Sequence, residues 1–276
     1  MTYGPLESRI TTWAATQPDI RAVIAVGSQA RGDADSWSDL DVLLFTSERA
    51  RYLNPDWLQT FGDVWLTYID NTGRGDPEWF VIYEGGLKVD IVLLQVDEDA
   101  PTLEDLLRGY PYQTVFARGV KVLYDQQGQA RSLPPKPVDI PAPPSVTAFH
   151  HVVNVLLLES VTTAKFIARG DFWRAQYWFA HDLRPNLLTL IEWHAYRRDT
   201  WYDGRFLNRW AAPHVQAALP DTFALHERES LSKALHAVLD LCHLIGVETA
   251  VRFNFTYPTE THLKITTVIE SVLGPI

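Results

Sequence analysis

Six of the eleven residues from Pro134 to Pro144 are proline. No helix interior or central strand tolerates that density, because each proline removes a backbone donor and fixes φ. The tract predicts a semi-rigid linker at 134–144 between two folding units, 1–133 and 145–276. The hydrophobic period changes across it. Before the tract, short apolar runs separated by turn signals read as strands at 22–26, 64–69, 79–83, 87–96 and 121–124. Leu6, Ile10 and Trp13 mark a helix over 5–17, Asn54-Pro55 starts a short one ending at Phe61-Gly62, and Thr102-Leu103-Glu104-Asp105 has the form of a capping box opening another. Beyond the tract the spacing is helical. Ser145 is set to cap a helix to Arg169, stopped by Gly170, and a second runs over 172–198 with a restart or kink at Pro185. Asp221 is set to cap a helix reaching Ile245-Gly246, and 261–273 is the last. The expected fold class is α+β, a mixed sheet with flanking helices followed by an all-α helical domain.

The residues that carry chemistry lie mostly in the first unit. The run 22–26 ends at Gly27-Ser28, a pair that lets backbone N–H groups approach a ligand closely. After a polar loop, a second apolar run opens as Asp39-Leu40-Asp41-Val42-Leu43-Leu44. Strand alternation puts Asp39 and Asp41 on one face and Leu40, Val42 and Leu44 on the other. Two adjacent carboxylates repel, and a hard divalent cation between them removes that cost. Mg²⁺ favours one or two carboxylates plus phosphate oxygens. An isolated Asp-x-Asp is usually a solvated strand end; the strand, Gly-Ser and polar loop ahead of this one favour the metal. A further carboxylate, Asp90, interrupts the apolar strand 87–96 and must be paired, metal-bound or shifted in pKa.

Gly27-Ser28, the polar loop and Ser38-Asp39-Leu40-Asp41 resemble the polymerase-beta-like nucleotidyltransferases. Trp57, Phe61-Gly62, the run Gly85-Gly86-Leu87-Lys88-Val89-Asp90, and Val122-Leu123-Tyr124-Asp125 narrow the resemblance to the aminoglycoside (streptomycin) 6-adenylyltransferases. The runs from Ala168 to Arg174 and from Arg184 to His194 extend it along most of the chain. The resemblance implies a nucleotidyltransferase domain, with two Mg²⁺ ions at Asp39 and Asp41 and Asp90 as the third active-site carboxylate. It implies that Gly27 and Ser28 hold the triphosphate of ATP, with Arg31 and Lys88 as candidate supports. The implied reaction moves AMP from ATP to a hydroxyl of an aminoglycoside. In the helical half, Glu159, Asp182 and Glu192 offer carboxylates to a small cationic acceptor, with Trp173, Trp178 and Trp193 as walls. The alternative is that these tryptophans are core and the acids pair with Arg169, Arg174 or Arg184. Two departures bear on the acceptor: Gln29 stands where the streptomycin enzymes tend to be basic, and the loop from Gly27 to Asp39 is shorter than theirs. A lincosamide, or a protein or RNA, is the alternative acceptor.

Charge narrows the partners. The net charge is −10, with −9 in residues 1–140 and −1 in 141–276. Broad nucleic-acid binding needs many phosphate-neutralising cations, so a polymerase or tRNA-modifying role is disfavoured. The single cysteine, Cys242, excludes an internal disulfide and suits a reducing cytoplasm. The sequence shows no basic-then-apolar signal pattern and no apolar stretch expected to span a membrane. His150-His151 and the other histidines lack metal-ligand spacing and read as structural or surface residues. A monomer or a homodimer is expected.

Overall fold

The computed structural model describes residues 3–32, 34–35, 37–96, 119–128, 143–196 and 204–274. The expected helix after Thr102 and most of the proline tract lie outside these residues. The chain divides into two compact units, Met1–Asp139 and Ile140–Ile276.

The first unit is built on a six-stranded sheet. Its strands are β1 (Ile20–Val26), β2 (Leu40–Thr46), β3 (Val64–Asn71), β4 (Pro77–Tyr83), β5 (Leu87–Gln95) and β6 (Lys121–Asp125). They lie in the order β3-β4-β5-β2-β1-β6. Only β2 and β5 run parallel; the other neighbours are antiparallel. Helix α1 (Gly4–Ala14) buries Leu6, Ile10 and Ala14, spaced four residues apart, on one face of the sheet. There Leu40, Val42 and Leu44 meet Tyr52, Leu58 and Phe61 from two 3₁₀ turns, Arg49–Leu53 and Pro55–Phe61. The Asn54 side chain accepts from the Asp56 N–H, as its sequence position predicts. Trp13 stacks on Trp57 with centroids 5.0 Å apart. The opposite face packs Ala22, Ile24, Val26, Leu43, Phe45, Val92 and Leu94. Because strand side chains alternate, Asp41 and Asp90 stand on this second face.

The regular elements described in the second unit are helices: α3 (Val146–Ala168), α4 (Phe172–Trp178), α5 (Arg184–His194), α6 (Leu207–Trp210), α7 (Pro213–Ala218), α8 (Arg228–Phe253) and α9 (Thr259–Leu273). Ser145 Oγ caps α3 by accepting from the Ala148 N–H at 3.1 Å, and Gly170 takes φ +77 just beyond its end. Pro185 leaves its mark as expected. Lacking an N–H, it cannot donate to the carbonyl four residues back, and the chain takes a π-helical turn at Phe179–Leu183 before α5.

Two expectations need correction. Asp221 caps no long helix; it lies in the 3₁₀ turn Leu219–Thr222, and α8 begins at Arg228. Nor does that helix stop at Gly246, which is helical and buried. Glycine is required there for space: a Cβ would stand 2.3 Å from Cε2 of the buried Tyr257 ring. Gly246→Ala should therefore lower the melting temperature. Overpacking costs about 1–3 kcal/mol, against a helix-propensity gain of at most about 1 kcal/mol. A thermal melt that is unchanged or higher would show that Tyr257 yields freely.

Helices Val146–Ala168 and Arg228–Phe253 are long and apolar enough to cross a membrane by length and composition, which the sequence reading did not anticipate. Their apolar residues, among them Phe149, Leu156, Ile167, Leu235 and Leu239, form one buried core. That is the placement of core helices.

Candidate active site

The parallel pairing of β2 with β5 sets Asp41 directly beside Asp90. Neighbouring strands lie about 4.8 Å apart, so two carboxylates share one patch of the sheet face. Asp39 precedes β2 by one residue, and Lys88 stands two residues before Asp90 on the same face. Lys88 Nζ donates to Asp39 Oδ2 at 2.9 Å and to Asp90 Oδ2 at 2.8 Å. Burial works against this ammonium, yet its bonds to Asp90 and Asp39 hold its pKa above the usual lysine range. Tyr3 Oη donates to the Lys88 carbonyl at 3.1 Å, tying α1 to this strand.

Asp90 is more enclosed than Asp39 or Lys88. Its Oδ1 is buried with no hydrogen-bond partner among the described residues. Burial raises its pKa, Lys88 opposes that, and the neighbouring Asp39 adds to it. A carboxyl whose folded pKa is raised contributes stability below its unfolded pKa and loses it as pH rises through the folded value. Asp90→Asn should therefore raise the melting temperature of the metal-free protein at neutral pH. The gain should fade as pH falls through the raised folded value toward the ordinary carboxylate range. A constant difference across that range, or a loss at neutral pH, would mean that the bond to Lys88 outweighs burial.

Gly27 explains the local form of the motif. It follows β1 at φ +71 and opens the short helix α2 (Gly27–Arg31). A Cβ there would lie 2.4 Å from Asp41 Oδ2, so the Asp41 carboxylate rests against the glycine itself. Ser28 is buried in this first turn and Arg31 ends it; Gly32, at φ +75, turns the chain into the loop toward Asp39.

Glu78 escaped the sequence reading. On β4 it faces Val92 of β5, and Phe80 faces Asp90, which puts Glu78 on the side of the sheet that carries the aspartates. Burial raises its pKa first, with Asp90 and Asp41 adding to the rise. The signal was present as alternation: Trp79, Val81 and Tyr83 are buried on the other face, leaving Glu78 with the acids.

The helical candidates separate. Glu159 Oε2 accepts from Trp178 Nε1 at 2.7 Å, and Trp178 packs on Phe166 at 5.0 Å. The Arg174 guanidinium lies over both rings, 5.0 Å and 4.9 Å from their centroids. Trp173, on the same short helix, is 80% exposed, while Trp193 packs against the core. Asp182 is half-buried in the π-helical turn and Glu192 half-buried on α5. Thus Glu159 and Trp178 come together, and Trp193 is the core residue of the alternative reading.

A model of the streptomycin adenylyltransferase family matches residues 5–272. The aminoglycoside 6-adenylyltransferase of Bacillus subtilis (strain 168) is 23% identical over 259 residues, covering 87% of this chain and 87% of that protein. Among solved structures, an aminoglycoside 6-adenyltransferase from Bacillus subtilis aligns over 98% of both chains at 18% identity, with a TM-score of 0.45. A nucleotidyltransferase-like protein from Exiguobacterium sibiricum 255-15 aligns over 89% of this chain and 77% of its own, at 13% identity and a TM-score of 0.32.

Proposed function

This chain belongs to the streptomycin adenylyltransferase family and is a nucleotidyltransferase; on that footing we propose that it transfers AMP from ATP to a hydroxyl of a streptomycin-like aminoglycoside. The observation that carries the proposal is the register of Asp41 against Asp90, with Asp39 beside them and Gly27 against the Asp41 carboxylate. The donor set suits Mg²⁺. Three carboxylates converge, Asp90 keeps one oxygen buried without a partner among the described residues, and the chain's own ammonium stands between two of them.

Asp39, Asp41 and Asp90 would hold two Mg²⁺ ions, which when bound neutralise phosphate charge and stabilise the attacking and leaving oxygens. The turn at Gly27-Ser28 would offer backbone N–H groups to the triphosphate, with Arg31 as a further support. Lys88 keeps Asp39 and Asp90 close and gives the triphosphate a fixed positive charge nearby. Asp90 would have a second role beside its metal role, taking the acceptor hydroxyl's proton. Glu159, Asp182 and Glu192 are the proposed carboxylates for the acceptor's amines, and the net charge of −10 favours such a cation.

The test is incubation with ATP, Mg²⁺ and a panel of antibiotics, read by mass spectrometry. One added AMP on streptomycin or a related aminoglycoside, absent without Mg²⁺, is the expected result. AMP found only on a lincosamide, or on a protein or RNA, would overturn the acceptor assignment.

A further inference from the structure

Outside the aspartate cluster, three side chains from three helices of the second unit meet at one point. His194 closes α5, His214 stands in the first turn of α7, and Glu248 lies near the end of α8. Glu248 Oε2 is 2.5 Å from His194 Nε2 and 3.2 Å from His214 Nε2. The two imidazoles are perpendicular, at 89°, with centroids 5.4 Å apart. One ligand atom from each residue lies within 4.8 Å of the others. The three positions share no short spacing in sequence, which is why the histidines read as structural or surface residues there.

We propose that His194, His214 and Glu248 form a Zn²⁺ site, separate from the Mg²⁺ chemistry of the first unit. Two imidazole nitrogens and one carboxylate oxygen are a donor set that borderline transition metals favour, whereas Mg²⁺ prefers oxygen alone. Zn–N and Zn–O bonds near 2.0–2.1 Å put tetrahedral ligand atoms roughly 3.3 Å apart. The His214–Glu248 separation of 3.2 Å already has that spread, and His194 and Glu248 need to part by less than about 1 Å from 2.5 Å. Accessibility is also suitable. The His194 side chain is 8% exposed and anchored in the core, while His214 and Glu248 are 45% and 43% exposed. An ion can enter without unfolding and keep a solvent-facing position for water, the pattern of an open three-ligand site. Arg252 Nη1 donates to the His194 carbonyl oxygen, which engages that charge and fixes the end of α5 that carries the ligand. Occupancy pins α5 and α7 to α8, so the ion should stabilise this unit.

The experiment uses the full chain, stripped of metal and held in excess Mg²⁺ so that the aspartates see their hard ion. Calorimetric titration with Zn²⁺ should give one ion per chain and a higher melting temperature, and Co²⁺ should give visible bands of an N/O-ligated low-coordination site. His214→Ala and Glu248→Gln each remove a half-exposed ligand and should fold normally by circular dichroism. Each should weaken Zn²⁺ binding by at least about 10–100-fold, the range already found when only outer-shell partners are lost. His226→Ala, which removes a histidine elsewhere, should leave binding unchanged. No stoichiometric Zn²⁺ binding by the wild type, or equal binding by His214→Ala and Glu248→Gln, would overturn the site.

Discussion

Asp41→Asn should abolish AMP transfer while leaving the fold intact. Asp41 sits in register with Asp90, and both face the side of the sheet where Asp39, Glu78 and Lys88 also gather. Asparagine keeps the shape and loses the charge, so packing of the β2 backbone between β1 and β5 is untouched. What changes is electrostatic. The site loses one of the charges that would hold Mg²⁺, and developing phosphate charge loses its counterweight. A loss on the order of 10³-fold or more in the single-turnover rate is expected, about 4 kcal/mol or more of transition-state stabilisation. Stability should move the other way: removing a charge from a repelling group should hold or raise the apo melting temperature. An Asp41→Asn protein with near-normal turnover would refute the assignment of Asp41 to the metal.

Gly27→Ala should be nearly as damaging, although it removes no functional group. Two effects act together. At φ +71 an alanine carries left-handed strain of about 1–2 kcal/mol. Its Cβ would also stand 2.4 Å from Asp41 Oδ2, so the carboxylate must swing away or the turn must open. Either response displaces the charge that Asp41→Asn removes. The transfer rate should fall by roughly 10²-fold or more, as misplacement by about 1 Å does in other sites. Because both changes act on one carboxylate, the double variant Gly27→Ala/Asp41→Asn should be little worse than Asp41→Asn alone. Additive losses would mean that Gly27 acts on the nucleotide independently of Asp41.

The sequence made the strands and the candidate aspartate motif legible because local chemistry decides both. Alternation assigned Asp39 and Asp41 to one face, and the observed core confirms it with Leu40, Val42 and Leu44 on the other. The Asn54 and Ser145 caps were readable because each hydrogen bond spans only two or three residues. Where long-range packing decides, the reading failed. Gly246 looked like a helix end because glycine usually is one; Tyr257, eleven residues later, requires it inside a helix instead. Alternation along β4 gives the face of Glu78, but its nearness to Asp90 depends on β5 lying beside β4, a long-range pairing. The meeting of His194, His214 and Glu248 is likewise a property of three packed helices.

The lone parallel pair in the sheet has a kinetic consequence. The meander β3-β4-β5 and the β1–β2 pair close short loops and can form early, by local search. Joining β2 to β5 closes a loop that separates Asp39 from Lys88 by 49 residues, so it carries the larger entropic cost and should come late. That same event brings Asp41 against Asp90. The step that joins the β3-β4-β5 meander to the β1–β2 pair is thus also the step that gathers the sheet's negative charge, and repulsion opposes closure just where chain entropy does. Lys88, bonded to Asp39 from β5, lies across this seam, so it helps to draw the two halves of the sheet together during folding.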